Sequence, residues 1–215
     1  MSDIMIKAIF WDNDGVLVDT EPLYFKATRE VLAEAGIPLS AEQFIRISLQ
    51  EGRSAFDLAR DRGMPADTLE AMRRERNRRY AALLGEGIAP LPGVAETLST
   101  LHGRCQMAIV TSCLQEHFEI IHRHTGILQY FDFILTREHY RHTKPHPEPY
   151  LSALNRSGLA RAQCLVIEDT ERGLQAADAA GLACAVIPNA LTAQGDFSKA
   201  CRVLDGIHQV LDLLD

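Results

Sequence analysis

The sequence predicts an α/β fold in which a parallel β-sheet is covered by helices on both faces. Short apolar runs alternate with amphipathic helical stretches along most of the chain, and each run is about as long as a strand buried on both faces. The segment 21–87 differs, because it contains several helical patterns but no good strand. We therefore expect a sheet domain that carries an all-helical insertion.

The predicted strands and helices of the sheet domain alternate along the chain. Five apolar runs are predicted as strands: 6–11, 105–110, 130–135, 163–168 and 182–187. Helices are predicted at 93–102, 114–124, 147–157 and 171–180, the last followed by Gly181 as a typical C-cap. This alternation favours parallel strands, and ligands of such sheets bind at the carboxyl ends of the strands.

The helical insertion follows the first strand. Its predicted helices are 22–35, 41–48, 53–62 and 66–84, and Ser40 with Gln43 predicts a capping box at the second. The segment 85–93, GEGIAPLPG, is rich in Gly and Pro and predicts a hinge. We predict a Rossmann-like catalytic core over 1–18 and 88–215, with a helical cap domain over 19–87.

Composition and charge limit the partners. The 215 residues are 47% hydrophobic and 24% charged, with a net charge of −7 and a pI near 5.6. This acidic balance argues against nucleic-acid and membrane partners. The sequence shows no signal-peptide pattern, no apolar run of membrane-spanning length and no CxxC pair among its five cysteines. We expect a cytoplasmic monomer with reduced thiols.

Polar side chains that are able to take part in a reaction lie at or near the ends of the predicted strands. They are Asp12 and Asp14 after the first strand, Thr111 and Ser112 after the second, Lys144 in a later loop, and Glu168 with Asp169 after the fourth. Parallel strands end at one edge of a sheet, so these side chains should meet in one crevice. Alternation along a strand points positions 12 and 14 the same way, and Gly15 permits a tight turn.

This set of side chains suits phosphoryl transfer. A carboxylate can attack phosphorus to give an acyl phosphate, and a second carboxyl group can protonate the departing alkoxide and then accept a proton from water. Because the nucleophile and the substrate are both anionic, a divalent cation is needed, and oxygen ligands suit Mg²⁺. A lysine and a hydroxyl can stabilise charge on the phosphoryl oxygens.

Four segments resemble the ordered motifs of the haloacid dehalogenase superfamily. They are DNDGVLVDTE at 12–21, VTS at 110–112, KPHPEPY at 144–150 and IEDTERGLQAADAAG at 167–181. The place of the helical insertion resembles the cap of the phosphoglycolate phosphatase and β-phosphoglucomutase-like branch. The resemblance covers nearly the whole chain. Dehalogenation is not expected, since dehalogenase members lack the second aspartate, which is Asp14 here.

The resemblance implies a role for each matching residue. Asp12 would be the nucleophile and Asp14 the general acid and base. Mg²⁺ would be held by the Asp12 side chain, the Asp14 carbonyl and Asp169, with Glu168 supporting the metal from nearby. The implied phosphate-binding groups are Thr111, the Ser112 amide and Lys144.

Two features of the cap segment bear on the substrate. Mutase-type members carry a histidine four residues after the hinge threonine; counted from Thr20, that position is Tyr24. This favours hydrolysis of a small phosphorylated metabolite, such as a sugar phosphate or a phosphoglycolate-like acid, over a phosphomutase. Thr20 and Arg53, the latter in QEGRSAF at 50–56, are candidate substrate contacts. Members often have Asp where this chain has Glu148.

Three other interpretations are weaker. A signalling receiver domain also groups acidic residues, Thr and Lys around magnesium, but its phosphorylated aspartate lies on a later strand and it has no inserted cap. A structural zinc site is disfavoured because the histidines at 122, 124, 139, 142 and 146 lack cysteine partners. A nucleic-acid or targeting patch at the basic run 73–80 is less favoured than a solvated helix face, from which Arg76 and Asn77 could still reach inward.

Overall fold

The computed structural model describes residues 5–214, which contain a six-stranded parallel sheet. The strands are β1 (Ala8–Trp11), β2 (Gln106–Val110), β3 (Phe133–Leu135), β4 (Cys164–Glu168), β5 (Ala183–Val186) and β6 (Arg202–Val203). Their order across the sheet is β3-β2-β1-β4-β5-β6, and each neighbouring pair is parallel. This confirms the predicted α/β class.

Helices cover both faces of the sheet because alternate strand residues point to opposite sides. The helices are α1 (Glu21–Glu34), α2 (Ala41–Phe44), α3 (Asp57–Arg60), α4 (Ala66–Leu84), α5 (Val94–Leu101), α6 (Gln115–His122), α7 (Glu148–Ser157) and α8 (Glu171–Ala179). Phe10 packs with α7 and α8, whereas Ile9 and Trp11 pack with α5 and α6. Each of these fully buried side chains contributes about 1.5–3 kcal/mol to folding.

The regular elements between β1 and β2 are all helical in the described chain. Buried apolar residues from the segment that contains α1 to α4, among them Leu32, Phe44, Phe56 and Met72, form a cluster separate from the sheet core. The predicted capping box is confirmed: the Ser40 hydroxyl accepts from the Gln43 N–H at 3.1 Å, and the Gln43 side chain accepts from the Ser40 N–H at 3.0 Å. The domain limits at 18/19 and 87/88 stay a prediction.

Several elements differ from the sequence prediction. The second helix of the insertion is one α-turn that continues as a π-helical turn over Ile45–Gln50. The helix predicted at 53–62 is shortened to α3, because Ser54 bonds to the following backbone and the resulting turn buries Phe56. The strand predicted at 130–135 begins only at Phe133, because a 3₁₀ turn over Leu128–Tyr130 precedes it. The two-residue β6 is too short to give a periodic signal in the sequence.

The described helices include none that is long and apolar enough to span a membrane. All five cysteines are free thiols, as the sequence led us to expect. Cys164 in β4 and Cys184 in β5 are buried, whereas Cys201 is exposed.

The carboxyl ends of β1, β2 and β4 meet in a crevice. The chain leaves β1 toward β2 on one side and returns to it as β4 on the other, so the strand order reverses at β1. Trp11 pairs with Ile109 and Ile167, and the Asp12 N–H extends the ladder by donating to the Ile167 carbonyl at 2.9 Å. The residues that follow these three strands therefore face one another, as expected for a switch point in a parallel sheet.

The turn from β4 into α8 brings a helix N-terminus against a buried carboxylate. The Thr170 hydroxyl accepts from the Gly173 N–H at 3.1 Å and donates to the Glu168 carboxylate at 3.1 Å. A Cβ atom on Gly173 would lie 1.9 Å from Cδ of Glu168. Glycine at this position therefore allows α8 to approach the end of β4.

Gly173→Ala should destabilise the protein by about 1–3 kcal/mol, because the added methyl group displaces Glu168 from its contacts. Helix propensity alone would predict a gain in stability, because alanine is a better helix former than glycine. Urea-induced unfolding measures the change. Gln175→Ala, at an exposed position of the same helix, is the control and should stay within about 0.5 kcal/mol of the wild type. Equal stability of Gly173→Ala and the wild type would show that Glu168 has room to move.

Candidate active site

The side chain of Lys144 is buried among three oxygen acceptors that come from three strand ends. Its Nζ lies 2.9 Å from Oδ1 of Asp12, 2.6 Å from Oε1 of Glu168 and 2.9 Å from the carbonyl oxygen of Val110. Burial disfavours the ammonium form, but the two carboxylates outweigh burial and raise the pKa of Lys144 above its ordinary value. Lys144 is therefore a charged group that links β1, β2 and β4.

Both carboxylate oxygens of Glu168 already accept hydrogen bonds. Oε1 accepts from Lys144 and from the Tyr150 hydroxyl, each at 2.6 Å, and Oε2 accepts from Thr170. Burial favours the protonated form, but the charge of Lys144 and these bonds hold the pKa of Glu168 below its usual range. Glu168 is thus a fixed, fully occupied anion, which fits support of a metal better than direct ligation.

Asp14 is half-buried and is oriented by two hydroxyl groups. The Thr20 hydroxyl donates to its Oδ1, and the Thr111 hydroxyl donates to its Oδ2 at 3.2 Å. The Thr111 oxygen in turn accepts from the Cys113 N–H at 3.0 Å. Asp14 also lines a cavity beside the strand ends, which is described below. Its carboxyl group is therefore placed to exchange a proton with a molecule bound there.

Asp169 is fully buried, and one of its oxygens has no hydrogen-bond partner within residues 5–214. The other oxygen accepts from the Asn189 side chain at 2.8 Å. Burial and the neighbouring carboxylates of Glu21, Glu168 and Asp12 raise the pKa of Asp169 well above its ordinary value. An unpaired buried carboxylate oxygen is costly, and a bound cation would remove that cost.

Oxygens of Asp12, Glu168 and Asp169 lie within 4.8 Å of one another. Burial, followed by the charge of Glu168, raises the pKa of Asp12 to about 7. Hard oxygen donors gathered around an orphaned carboxylate oxygen fit Mg²⁺. Gly15 makes the approach possible: its φ is 83°, and a Cβ there would lie 2.1 Å from Oδ2 of Asp169.

A cavity of about 340 Å³ opens beside these carboxylates and is lined by both the helical insertion and the strand ends. Arg53, Arg76 and Asn77 line it from the insertion. Four buried polar atoms in its walls have no hydrogen-bond partner in the described part of the chain: Glu21 Oε2, Ser112 Oγ, His117 Nε2 and Arg172 Nε. Unpaired groups of this kind are typical of a cavity that takes a polar ligand.

The basic run 73–80 divides between solvent and the cavity. Arg74 and Arg78 are exposed and pair with glutamates on the same helix, which agrees with the predicted solvated face. Arg76 turns inward instead, and its guanidinium lies 4.3 Å from the centre of the Tyr24 ring. The predicted inward reach of Arg76 and Asn77 is thereby confirmed.

Glu148 holds the loop that carries Lys144. Its oxygens accept from the backbone N–H groups of Arg141 and His142, at 2.9 and 3.0 Å, and from the His142 ring at 2.7 Å. These bonds, the one from Arg141 first, lower the pKa of Glu148 to about 2. Ligand atoms of His142, His146 and Glu148 do lie within 4.8 Å of one another, but the carboxylate is already engaged in fixing the loop.

The sequence matches the family model of the haloacid dehalogenase-like hydrolases over residues 9–187, most of the chain. The chain belongs to this family. A fructose-1-phosphate phosphatase of Escherichia coli, YqaB, is 32% identical over 177 residues, which are 81% of this chain and 92% of that protein. A phosphoglycolate phosphatase of Xanthomonas campestris is 31% identical over 177 residues, 82% of this chain and 80% of that protein.

The fold of this haloacid dehalogenase-like hydrolase also matches a solved structure over its whole length. The crystal structure of CbbY from Rhodobacter sphaeroides in complex with phosphate aligns with a TM-score of 0.83 and 28% identity, covering 98% of this chain and 100% of that one. The family resemblance seen in the sequence is confirmed. With phosphatases among its relatives, the hydrolase is an enzyme that acts on phosphoric monoesters.

The structure brings together most of the residues predicted for the site of this hydrolase. Asp12, Asp14, Thr111, Lys144, Glu168 and Asp169 make the contacts described above. Thr20, Ser112 and Arg53 line the cavity, although the Arg53 side chain is 49% exposed and pairs with Glu51 and Asp57. Their catalytic and binding roles stay predictions.

Sequence reasoning missed four residues of the site. Glu21 and Arg172 lie inside motifs that were recognised, yet neither was assigned a role. His117 and Asn189 lie outside those motifs. A charged residue at the start of a helix is ordinarily solvated, whereas Glu21 is buried and Arg172 is half-buried with its Nε shielded from solvent. That burial depends on how the insertion packs over the sheet.

Asp169→Asn should raise the melting temperature of the metal-free protein by several degrees at about pH 8. Because the folded-state pKa of Asp169 is raised, its ionisation costs stability; the cost begins above the ordinary carboxyl pKa of 3.8 and grows until the pH passes the raised value. The gain should therefore shrink as the pH is lowered to about 5. Thermal unfolding in the presence of a chelator measures it.

The control for this change is Asp205→Asn, which neutralises an exposed carboxylate and should leave the melting temperature unaltered at both pH values. Added Mg²⁺ should raise the melting temperature of the wild type but not that of Asp169→Asn. A lower melting temperature of Asp169→Asn in chelator at about pH 8 would contradict the account of an uncompensated carboxylate.

Proposed function

We propose that the protein is a magnesium-dependent phosphatase that hydrolyses a small phosphorylated metabolite through a phosphoryl group carried on Asp12. One observation carries the proposal: oxygens of Asp12, Glu168 and Asp169 lie within 4.8 Å of one another, one oxygen of Asp169 has no partner in the described chain, and a buried lysine contacts the other two carboxylates. This arrangement is costly in the free protein, and it suits a cation together with a phosphate.

Asp12 is the proposed nucleophile. Lys144 holds its Oδ1 at 2.9 Å and so fixes the carboxylate at the end of β1. Attack on the phosphate forms a bond between an Asp12 oxygen and phosphorus and breaks the bond from phosphorus to the alcohol oxygen. Water then attacks the phosphorus of this mixed anhydride, which releases inorganic phosphate and restores the carboxylate.

Asp14 is the proposed proton carrier for both steps. Its protonated form gives a proton to the departing alkoxide, and the resulting carboxylate takes a proton from the attacking water. Thr20 and Thr111 hold both of its oxygens, so the group keeps one orientation toward the cavity. The Thr111 hydroxyl, the Ser112 amide and the Lys144 ammonium are the proposed contacts of the phosphate oxygens.

Asp12, Asp169 and the backbone carbonyl of Asp14 are the proposed magnesium ligands, and Glu168 supports them from behind. When bound, Mg²⁺ neutralises charge between the carboxylates and the phosphate and thus permits their approach. The orphaned oxygen of Asp169 and the raised pKa of Asp12 both support this assignment.

The proposed substrate is a sugar phosphate or a similarly small phosphoester. Among the relatives, one is named for fructose 1-phosphate and another for phosphoglycolate, and both are molecules of this size. The cavity of about 340 Å³ accommodates them, and Arg53 and Arg76 provide cationic groups opposite the strand ends. The helical insertion is proposed to act as a cap that excludes bulk water.

Asp12→Asn should lower the rate of phosphate release by about a thousandfold or more, since the amide cannot form the mixed anhydride. The assay follows inorganic phosphate from p-nitrophenyl phosphate and from a panel of phosphorylated metabolites in the presence of Mg²⁺. Asp205→Asn, an exposed aspartate, is the matched control and should retain wild-type turnover. Full activity in Asp12→Asn would exclude Asp12 as the nucleophile.

A phosphomutase remains the second candidate within the family. Tyr24 lies in the cavity at the position where mutase-type members resembling β-phosphoglucomutase carry a histidine, and its ring is covered by Arg76. This arrangement favours hydrolysis. Incubation with a sugar 1-phosphate separates the two functions, because a mutase forms the isomeric sugar phosphate whereas a phosphatase releases inorganic phosphate.

A further inference from the structure

The carboxylate of Glu21 is buried in the cavity wall without being satisfied. The residue is 7% exposed, and its Oε2 has no hydrogen-bond partner within residues 5–214. It is the first residue of α1 and directly follows Thr20, whose hydroxyl holds Asp14. The unpaired oxygen therefore lies close to the group that is proposed to protonate the leaving alcohol.

Arg172 presents a matching unpaired donor to the same cavity. It extends from the first turn of α8, and its Nε is buried without a hydrogen-bond partner in the described chain. Its charge and the charge of Glu21 act on each other. The cavity wall therefore contains an oxygen of Glu21 and a nitrogen of Arg172 that both lack hydrogen-bond partners in the described chain.

Glu21 lies outside the carboxylate cluster that is assigned to the cation. The carboxylate oxygens that cluster within 4.8 Å belong to Asp12, Glu168 and Asp169. Glu21 instead lines the open space beside them, together with Asp14. A substrate group that occupies this space belongs to the leaving alcohol. It is therefore carried by the carbons next to the phosphoester oxygen.

Hydroxyl groups match this pair of side chains, because a hydroxyl donates one hydrogen bond to a carboxylate and accepts others from a guanidinium. A methylene in the same place would leave both charged groups desolvated and unpaired. The chemistry therefore favours a polyhydroxy compound over an alkyl ester.

We propose that Glu21 and Arg172 form a hydroxyl-binding site next to the scissile bond, so that the enzyme selects phosphorylated sugars and polyols over phosphoesters that lack a neighbouring hydroxyl. This inference rests on the proposed phosphatase function and specifies its substrate class. Glu21 is thereby assigned as a specificity-determining residue.

The test compares glycerol 3-phosphate with propyl phosphate, which have the same carbon chain and differ in their hydroxyl groups. For the wild type with Mg²⁺, kcat/KM should be about tenfold to a hundredfold higher for glycerol 3-phosphate, the effect of hydrogen bonds to charged groups. In Glu21→Ala this ratio should fall to within about threefold of one. The ratio cancels any general loss of turnover in the variant.

Two further variants complete the test. Glu21→Gln keeps the shape of the side chain and one acceptor. Its ratio should therefore lie between those of the wild type and Glu21→Ala, at least about threefold below the wild type. This variant also provides the test if Glu21→Ala does not fold. Glu30→Gln, on the outer face of the same helix, is the matched control and should keep the wild-type ratio.

Two results would overturn the inference while leaving the phosphatase function intact. One is a ratio in the folded Glu21 variants equal to that of the wild type. The other is a wild type that hydrolyses p-nitrophenyl phosphate yet turns over glycerol 3-phosphate no faster than propyl phosphate. If the wild type releases phosphate from none of the three compounds with Mg²⁺, the proposed function itself fails, and the inference fails with it.

Discussion

The contact between the Lys144 ammonium and the carboxylates of Asp12 and Glu168 is the interaction on which the site depends. It bridges the carboxyl ends of β1 and β4, and the hydrogen bond to the Val110 carbonyl links the end of β2 to them. Neither carboxylate would stay ionised at this depth without a nearby cation, since removal of one partner from a buried pair costs about 3–5 kcal/mol. The sheet brings the strand ends together, and the ammonium group of the lysine stabilises the ionised carboxylates there.

One lysine does not balance the site. Within residues 5–214, one oxygen of Asp169 has no hydrogen-bond partner, and burial raises the pKa of Glu21 to about 8. Unsatisfied buried carboxyl groups lower the stability of a folded protein, and they are retained at sites where a ligand can satisfy them. Both groups therefore support the proposed ligands, a divalent cation at Asp169 and a substrate hydroxyl at Glu21.

The strand ends and the helical insertion contribute different walls of the cavity. The strand ends supply the groups proposed to act on phosphorus, and they are fixed by buried hydrogen bonds such as those to Glu168. The insertion supplies the opposite wall of the cavity through Arg53, Arg76 and Glu21. Relatives named for fructose 1-phosphate and for phosphoglycolate share the family, which is consistent with a common reaction on substrates chosen elsewhere in the cavity.

The sequence alone determined the sheet and the meeting of Asp12, Thr111, Lys144 and Asp169, because apolar runs of strand length that alternate with helical segments favour parallel strands, and such strands end at one edge. The same local reasoning found the capping box at Ser40. The tertiary structure decided the length of α3 and the pairing of β6. It also decided that Glu21 is buried beside the site and that the Nε of Arg172 is shielded from solvent there. Periodicity reports which face of an element is apolar, whereas the burial of a charged residue depends on which distant segment packs over it.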